Sequence, residues 1–163
     1  MKLSQTGQFG VTMAELNPWY VTGLCDGEAA FTYHRAGGNF CVSFGFKQRA
    51  DNRELVEDIR AFFNYIGSIY HAKGSGPTKN SGNTSPSVYF RVSRASELSV
   101  IIDHFDRYPL QSKKKLEAYK IWREMAIHKV ENFRNVDYDK MRALAEKLSS
   151  NNLKTRAFKV HLR

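Results

Sequence analysis

The chain has 163 residues, a length that suits one domain with a hydrophobic core better than two independent domains. Hydrophobic residues make up 42% of it, yet no apolar run approaches the roughly 18 residues that a membrane span needs, so a membrane-embedded class is excluded. The 25 Lys and Arg residues outnumber the 16 Asp and Glu residues, and this net charge of +9 indicates a polyanionic partner such as nucleic acid, although a merely solvated basic surface is the alternative.

The first predicted element is a short helix over residues 18 to 26. Asn17 can cap it through a side-chain oxygen, and Pro18 suits the first helical position because its φ angle is preset. Gly27 is a natural place for the helix to end. The stretch therefore carries two acids, Asp26 and Glu28, at the carboxyl end of a mostly apolar helix.

Two strands and a helix follow. After Glu28 the apolar residues recur with period two, Gly37-Gly38 predicts a turn, and NFCVSFGFKQR at 39–49 places four large apolar residues on one face. The DNRE stretch at 51–54 resembles a capping box, and helical spacing of apolar residues continues from it to Gly67.

The second half predicts two more strands, at about 68–73 and 87–93, and then three helices. The segment GSGPTKNSGNTSP at 74–86 is too rich in turn residues to hold regular structure. The order predicts an α+β fold of αββαββα type, with a four-stranded antiparallel sheet and helices on one face. The other sheet face is polar and cationic, with Thr32, His34, Asn39, Ser43, Lys47 and Arg91.

The opening helix carries VTGLCDGEA at 21–29, which resembles the signature of the LAGLIDADG homing endonucleases. LNPWY before it, and FGFKQR, VYFRVS and IIDHFDRYPLQSKKK after it, resemble that family in the same order. The resemblance implies a single endonuclease domain over residues 1–163, with a core at about 14–130 and a C-terminal helix and basic tail at 131–163. It also implies that the sheet is a DNA-binding saddle.

The resemblance implies an active site as well. Glu28 is the expected metal-binding carboxylate and the Gly27 carbonyl a second ligand, an oxygen-rich pair suited to Mg²⁺, with Mn²⁺ as a substitute. Gln48 matches the residue that positions water, and Lys113 the basic residue near the scissile phosphate, with Lys114 or Lys115 in that role if the register differs. The chain departs from the family in having Glu28 where Asp is commonest. Further departures are Ala29 for the final Gly and Asn52 for a basic residue that Arg49 or Arg53 could replace.

Only one signature is present, because no glycine follows Gly82 to line a second such helix. The resemblance then implies a homodimer, held through Trp19, Tyr20, Gly23 and Gly27, where small residues let two helices approach closely. Each sheet would read half of a near-palindromic double-stranded DNA target. The expected DNA contacts are Thr32, His34, Asn39, Ser43, Lys47, Arg49, His71, Lys73, Tyr89 and Arg91, with the 74–86 loop reaching outward.

Other readings stay open on the sequence alone. The chain could be a non-cutting binder, either a splicing maturase for its own intron RNA or a DNA-binding regulator, or a structural α+β interaction module. Each assigned residue also has an ordinary structural role available to it, and Cys25, His34 and Cys41 lack the paired spacing of a zinc site. With no apolar leader and no disulfide framework, we expect a non-secreted protein of the bacterial cytoplasm or an organellar matrix.

Overall fold

The structure is a computed structural model that describes residues 15–77 and 82–152. Its element order confirms the predicted α+β fold, with a short 3-10 turn at Ala50–Asn52 before the second helix. Within the described ranges, no helix combines the length and apolar character that a membrane crossing requires. The elements are α1 (Pro18–Glu28), β1 (Ala29–Ala36), β2 (Asn39–Arg49), α2 (Arg53–Phe62), β3 (Ser68–Ala72), β4 (Ser87–Val92), α3 (Ala95–Arg107), α4 (Lys113–Glu131) and α5 (Tyr138–Asn151).

The four strands form one antiparallel sheet in the order β1-β2-β4-β3. β1 and β2 are joined by Gly37 and Gly38, whose φ angles of 56° and 85° are accessible to glycine without a steric penalty. Ala36 and Asn39 pair across this two-residue turn, as the sequence predicted. β2 is consequently a central strand that contacts β1 on one side and β4 on the other.

The helices cover one face of the sheet, called here the helix face. Alternate strand residues point into it and form an aromatic core: Phe44 lies with its ring centroid 5.5 Å from that of Phe31, 6.1 Å from that of Phe90 and 6.0 Å from that of Phe105. Trp122 of α4 is fully buried and donates its indole N–H to the Ser43 carbonyl at 2.9 Å. The opposite face carries no helix among the described residues and is called the open face.

α1 begins as predicted but ends later. The Asn17 side chain accepts a hydrogen bond from the Trp19 N–H at 2.9 Å, which caps the helix. The helix continues through Gly27 to Glu28 and ends with the Ala29 N–H bonded to the Cys25 carbonyl. Because no left-handed residue is needed there, Gly27 is helical, and the predicted end at residue 26 was wrong by two positions.

α2 also differs from its prediction. Asp51 is not its cap: it lies in the 3-10 turn and pairs with Arg49 at 3.2 Å. The helix ends at Phe62 instead of continuing to Gly67, and the guanidinium of Arg60 donates to three carbonyls of the following turn, those of residues 65, 66 and 67. Gly67 has a φ of 62°, and a Cβ there would lie 2.3 Å from the Arg91 carbonyl, so the close approach to β4 requires glycine.

The segment between β3 and β4 contains an isolated β-bridge. Ser75 and Thr84 exchange two backbone hydrogen bonds of 3.1 and 2.9 Å, and their hydroxyls lie 2.8 Å apart. This pairing extends the hairpin beyond the sheet. The described part of residues 74–86 otherwise contains no helix or strand, as the composition predicts.

Candidate active site and nucleic-acid interface

The carboxyl end of α1 meets one end of the β1–β2 pair. Glu28, the last helical residue, is exposed, and β1 starts directly after it with Ala29 paired to Phe46. In an antiparallel pair the residues before Ala29 and the residues after Phe46 lie at the same end of the two strands. Glu28 and Gln48 are therefore at the same end of the β1–β2 pair. The Gly27 carbonyl belongs to the last turn of α1, where an α-helix has no N–H to pair with it.

Asp26, the second acid of the stretch, has a different environment. Its carboxylate accepts hydrogen bonds from the backbone N–H groups of Gln111 and Ser112, at 3.1 and 2.8 Å, and from the Ser112 hydroxyl at 2.6 Å. These donors precede the first residue of α4. Asp26 is therefore engaged with the protein itself, whereas Glu28 is the acid of this pair that faces solvent.

The three lysines at the start of α4 are not equivalent. Lys113 and Lys114 are exposed, but Lys115 is half-buried and its ammonium donates to the Ala29 carbonyl at 2.5 Å. Partial burial lowers the pKa of Lys115, and the nearby carboxylates of Asp26 and Glu28 oppose that shift. The lysine run thus lies beside the end of α1, with Lys115 bound to the protein and Lys113 open to a ligand.

Gln48 is half-buried and accepts a hydrogen bond from the Asn52 amide at 3.2 Å. The two arginines considered as substitutes for Asn52 each pair with a neighbouring carboxylate. Arg49 pairs with Asp51 at 3.2 Å, and Arg53 pairs with Glu57 at 2.6 Å. Both ion pairs are exposed, so they hold the guanidinium groups only weakly.

The open face presents rows of side chains set by the strand register. One row crosses β2, β4 and β3 through Lys47, Tyr89 and Tyr70, since directly opposed residues of an antiparallel pair share a face. The Lys47 ammonium lies 5.0 Å from the centroid of the Tyr89 ring. Hydrogen bonds from Ser87 and then from Lys47 lower the pKa of the Tyr89 hydroxyl. The adjacent row carries exposed Arg91, opposite Gly45 and Ser68.

The structure corrects one of the two residues predicted on this face in and after β3. His71 pairs with Val88, a buried residue of the helix face, so His71 belongs to that face at the sheet edge. Lys73 is exposed just beyond the end of β3, where no strand pairing assigns it to a face, so its predicted DNA contact stays a prediction. Tyr70, which the sequence analysis did not select, is the exposed aromatic residue of β3 on the open face, with 54% of its surface accessible.

A second correction concerns Ser43. It lies on the open face opposite Thr32, but none of its surface is accessible, and its hydroxyl has no hydrogen-bond partner among the described residues. Ser43 is therefore unavailable for direct contact with a macromolecule. Further along the same hairpin, His34 is exposed opposite Cys41, and the Asn39 side chain accepts a hydrogen bond from the Tyr138 hydroxyl at 2.7 Å.

The outer surface of α1 is exposed to solvent in the single chain. Trp19 and Tyr20 expose 52% and 50% of their surfaces, and Gly23 and Gly27 continue the same surface one and two turns later. A Cβ added at either glycine would meet no atom within 4 Å. The predicted dimer residues thus share one exposed, partly aromatic surface.

The cysteines provide no metal centre among the described residues, where no group of three or more His, Cys, Asp and Glu side chains converges on a metal position. Cys25 is completely buried on the inner side of α1, and burial raises the pKa of its thiol to about 12. The thiol therefore stays protonated at neutral pH, which suits a core residue.

Comparison with solved structures shows the same architecture. LAGLIDADG meganuclease I-AabMI, crystallised with uncleaved DNA, is 25% identical with a TM-score of 0.68 over 89% of this chain and 48% of that chain. LAGLIDADG homing endonuclease I-GzeII, crystallised with a DNA target, is 25% identical with a TM-score of 0.61 over 86% of this chain and 45% of that chain. The homing endonuclease I-TnaI, at 19% identity and a TM-score of 0.68, shares the fold over 90% of this chain and 93% of its own.

Sequence comparisons agree with the fold. The probable intron-encoded endonuclease 2 of Neurospora crassa is 31% identical over 109 residues, and an uncharacterized 50.9 kDa protein in ND4 intron 1 of Podospora anserina is 27% identical over 121 residues. The matched segments are 62% and 69% of this chain but only 22% and 24% of those proteins. A profile of the LAGLIDADG endonucleases matches residues 21–126, more than half of the chain, and the chain therefore belongs to the LAGLIDADG endonuclease family.

Proposed function

We propose that the chain is a site-specific endonuclease that binds double-stranded DNA on the open face and hydrolyses it with Glu28. The observation that carries the proposal is the position of this one exposed carboxylate, at the end of α1 and at the edge of a face that carries Lys47, Arg91 and Arg49. Cationic side chains on a rigid sheet suit the phosphate backbone and base edges of a major groove. A carboxylate beside such a surface would repel the DNA phosphates and weaken binding, so its presence there favours a catalytic role.

The donors at this edge fit a hard divalent cation. The Glu28 carboxylate and the Gly27 carbonyl are oxygen ligands of the type that Mg²⁺ takes, and Mn²⁺ accepts the same donors. When bound, such an ion activates water and neutralises charge on the phosphate. Glu28 is one methylene longer than the Asp that is commonest in the family, and its exposure leaves its side chain free to adjust.

The chain's other residues at this edge have separate tasks. Gln48, oriented by its hydrogen bond with Asn52, holds the attacking water by its amide group. Lys113 is exposed in the first turn of α4 and neutralises the phosphate, because the ammonium of Lys115 is already bonded to the Ala29 carbonyl. Lys114 and Lys115 are the alternatives, and the cleavage rates of Lys113→Met, Lys114→Met and Lys115→Met proteins would distinguish the three lysines.

The same proposal includes a homodimer. The chain spans about half the length of the DNA-bound structures that it resembles, and its α1 surface of Trp19, Tyr20, Gly23 and Gly27 is uncovered. A second copy packed on this surface would bring two Glu28 side chains together, each beside its own sheet. The two sheets would then read inverted half-sites related by the two-fold axis.

Selection from a randomised double-stranded DNA library tests the activity and identifies the target in one experiment. The proposal predicts double-strand cleavage of a recurrent, near-palindromic sequence in Mg²⁺ or Mn²⁺, and binding without cleavage when Ca²⁺ replaces them. A protein that binds DNA but never cuts it in Mg²⁺ or Mn²⁺ is a non-cutting binder, and the endonuclease proposal is then wrong.

Gly23→Leu tests the dimer, because the added side chain meets no atom of its own protomer within 4 Å of the Cβ position. We expect the variant to fold but to sediment as a monomer and to lose cleavage, since the leucine holds the two helices apart. Ala143→Leu, at an exposed position of α5, is the matched control and should remain a dimer. A wild-type protein that is a monomer on its target DNA contradicts the interface.

A further inference from the structure

The first turn of α4 is electrostatically unfavourable when considered alone. It begins with Lys113, Lys114 and Lys115 and contains no acidic residue, although the amino end of a helix carries positive partial charge. Ser112 occupies the cap position but makes no capping hydrogen bond with its side chain. Three like charges at the positive end of a helix dipole need a compensating group from elsewhere in the chain.

Asp26 supplies that group. Its carboxylate accepts the N–H groups of Gln111 and Ser112, and the Ser112 hydroxyl, which would otherwise cap its own helix, donates to the same carboxylate at 2.6 Å. Hydrogen bonds to an ionised acceptor are about twice as strong as neutral ones. One side chain in the last turn of α1 thus binds the residues that precede α4.

Two further contacts hold the same turn. The Lys115 ammonium donates to the Ala29 carbonyl, immediately after Glu28, and the Asn151 amide of α5 donates to the Lys114 carbonyl at 3.2 Å. The side chain of Lys115 is therefore held by the start of β1, and the backbone of Lys114 is held by α5. Lys113 is exposed and directly follows Ser112, the residue that Asp26 holds.

We propose that Asp26 is a positioning residue that holds the first turn of α4, and with it Lys113, beside the end of α1 that carries Glu28; this proposal rests on the proposed DNA cleavage. The two acids of the signature stretch then divide two tasks. Glu28 faces the DNA, and Asp26 fixes the distance between Glu28 and a lysine that lies 85 residues later in the chain.

The test measures single-turnover cleavage and DNA affinity of Asp26→Asn on the selected target. Asparagine keeps the size of the side chain but removes the charge and presents an amide N–H₂ toward N–H donors. We expect cleavage to slow about 10- to 100-fold with little change in DNA affinity, because misplaced groups reduce the chemical step. Ser112→Ala, which removes one of the three hydrogen bonds, should slow cleavage by about 5-fold. Asp139→Asn on α5, with a side chain 92% exposed, is the control and should match the wild type.

A double-mutant cycle separates positioning from general destabilisation. In a Lys113→Met background, Asp26→Asn should change the cleavage rate less than about 2-fold, since the residue it positions is gone. A loss that persists in full overturns the positioning role, as does an Asp26→Asn protein that cuts at the wild-type rate.

Amide hydrogen exchange gives a readout without activity: the N–H groups of residues 111 and 112 should exchange faster in Asp26→Asn, and unchanged exchange also overturns the proposal. A wild-type protein that cuts no DNA overturns the proposed function first, whichever way the exchange changes.

Discussion

The two faces of the sheet use the same strands for opposite purposes. On the helix face, Phe31, Phe44 and Phe90 are buried and pack on one another and on the helices. On the open face, Lys47, Tyr70 and Arg91 are exposed. No helix packs on these side chains among the described residues. The buried packing that stabilises the sheet is therefore on the helix face, and the side chains of the open face can differ without loss of that packing.

Phe44→Ala should have the largest effect on stability and breaks the helix face at its centre. Its ring packs against four other phenylalanines and has no accessible surface, so truncation leaves a cavity in the core. We expect the free energy of unfolding to fall by about 3–5 kcal/mol, measured by urea denaturation. Thr32→Ala on the open face of the neighbouring strand is the control, within about 0.5 kcal/mol of wild type. Equal losses would show that the two faces do not differ as described.

His104 gives the helix side a pH dependence. Burial lowers the pKa of His104 to about 4 from its ordinary 6.5, and its Nε2 lies 3.1 Å from the hydroxyl of Thr22. Because the folded-state pKa lies below the unfolded one, the neutral ring contributes stability that is complete above about pH 6.5 and is lost as the pH falls toward 4. The loss from this residue is at most about 3 kcal/mol, and His104→Gln should flatten the stability curve over that window. Parallel curves for the two proteins would contradict the assignment.

Tyr70 and His71 provide the sharpest comparison between the faces, since they are adjacent. We expect Tyr70→Ala to weaken binding of the selected target by about 1–2 kcal/mol, whereas His71→Ala leaves it unchanged, because only Tyr70 shares the open face with Lys47 and Arg91. Arg91→Ala is the positive reference and should cost about 1–3 kcal/mol and relax preference at one position of each half-site. If His71→Ala weakened binding more than Tyr70→Ala in a filter-binding assay, the assignment of these two residues to opposite faces would be wrong.

The sequence predicted the fold well where one local pattern was sufficient. In β2, four large apolar residues alternate with polar ones, and in β4 the same period places Arg91 outward, so both faces could be assigned without the structure. β3 is a short edge strand with one strongly apolar residue, Ile69, so its sequence contains too little alternation to show which residues face inward. Ile69 is the inward residue, and its neighbour Tyr70 therefore lies on the open face, where His71 does not.

The remaining differences depend on contacts that a linear pattern does not contain. Asp26 and Glu28 have the same charge and lie two residues apart, and only the approach of Ser112 from a distant segment distinguishes them. Ser43 has the pattern of an outward residue, yet neighbours cover it completely. α1 runs past Gly27 because its end is set by the start of β1 and by the Ala29 N–H, instead of by glycine.

Glu28→Gln tests the central claim most directly. The substitution keeps the size of the side chain and removes the charge that would anchor the proposed metal ion, so we predict that cleavage of the selected target in Mg²⁺ falls at least about 10³-fold. Gel-shift affinity should be retained or slightly increased, since one fewer anion then lies beside the phosphates. Glu131→Gln, at the exposed end of α4, is the matched control and should cut normally. Cleavage by the Glu28→Gln protein at the wild-type rate would show that the active site lies elsewhere.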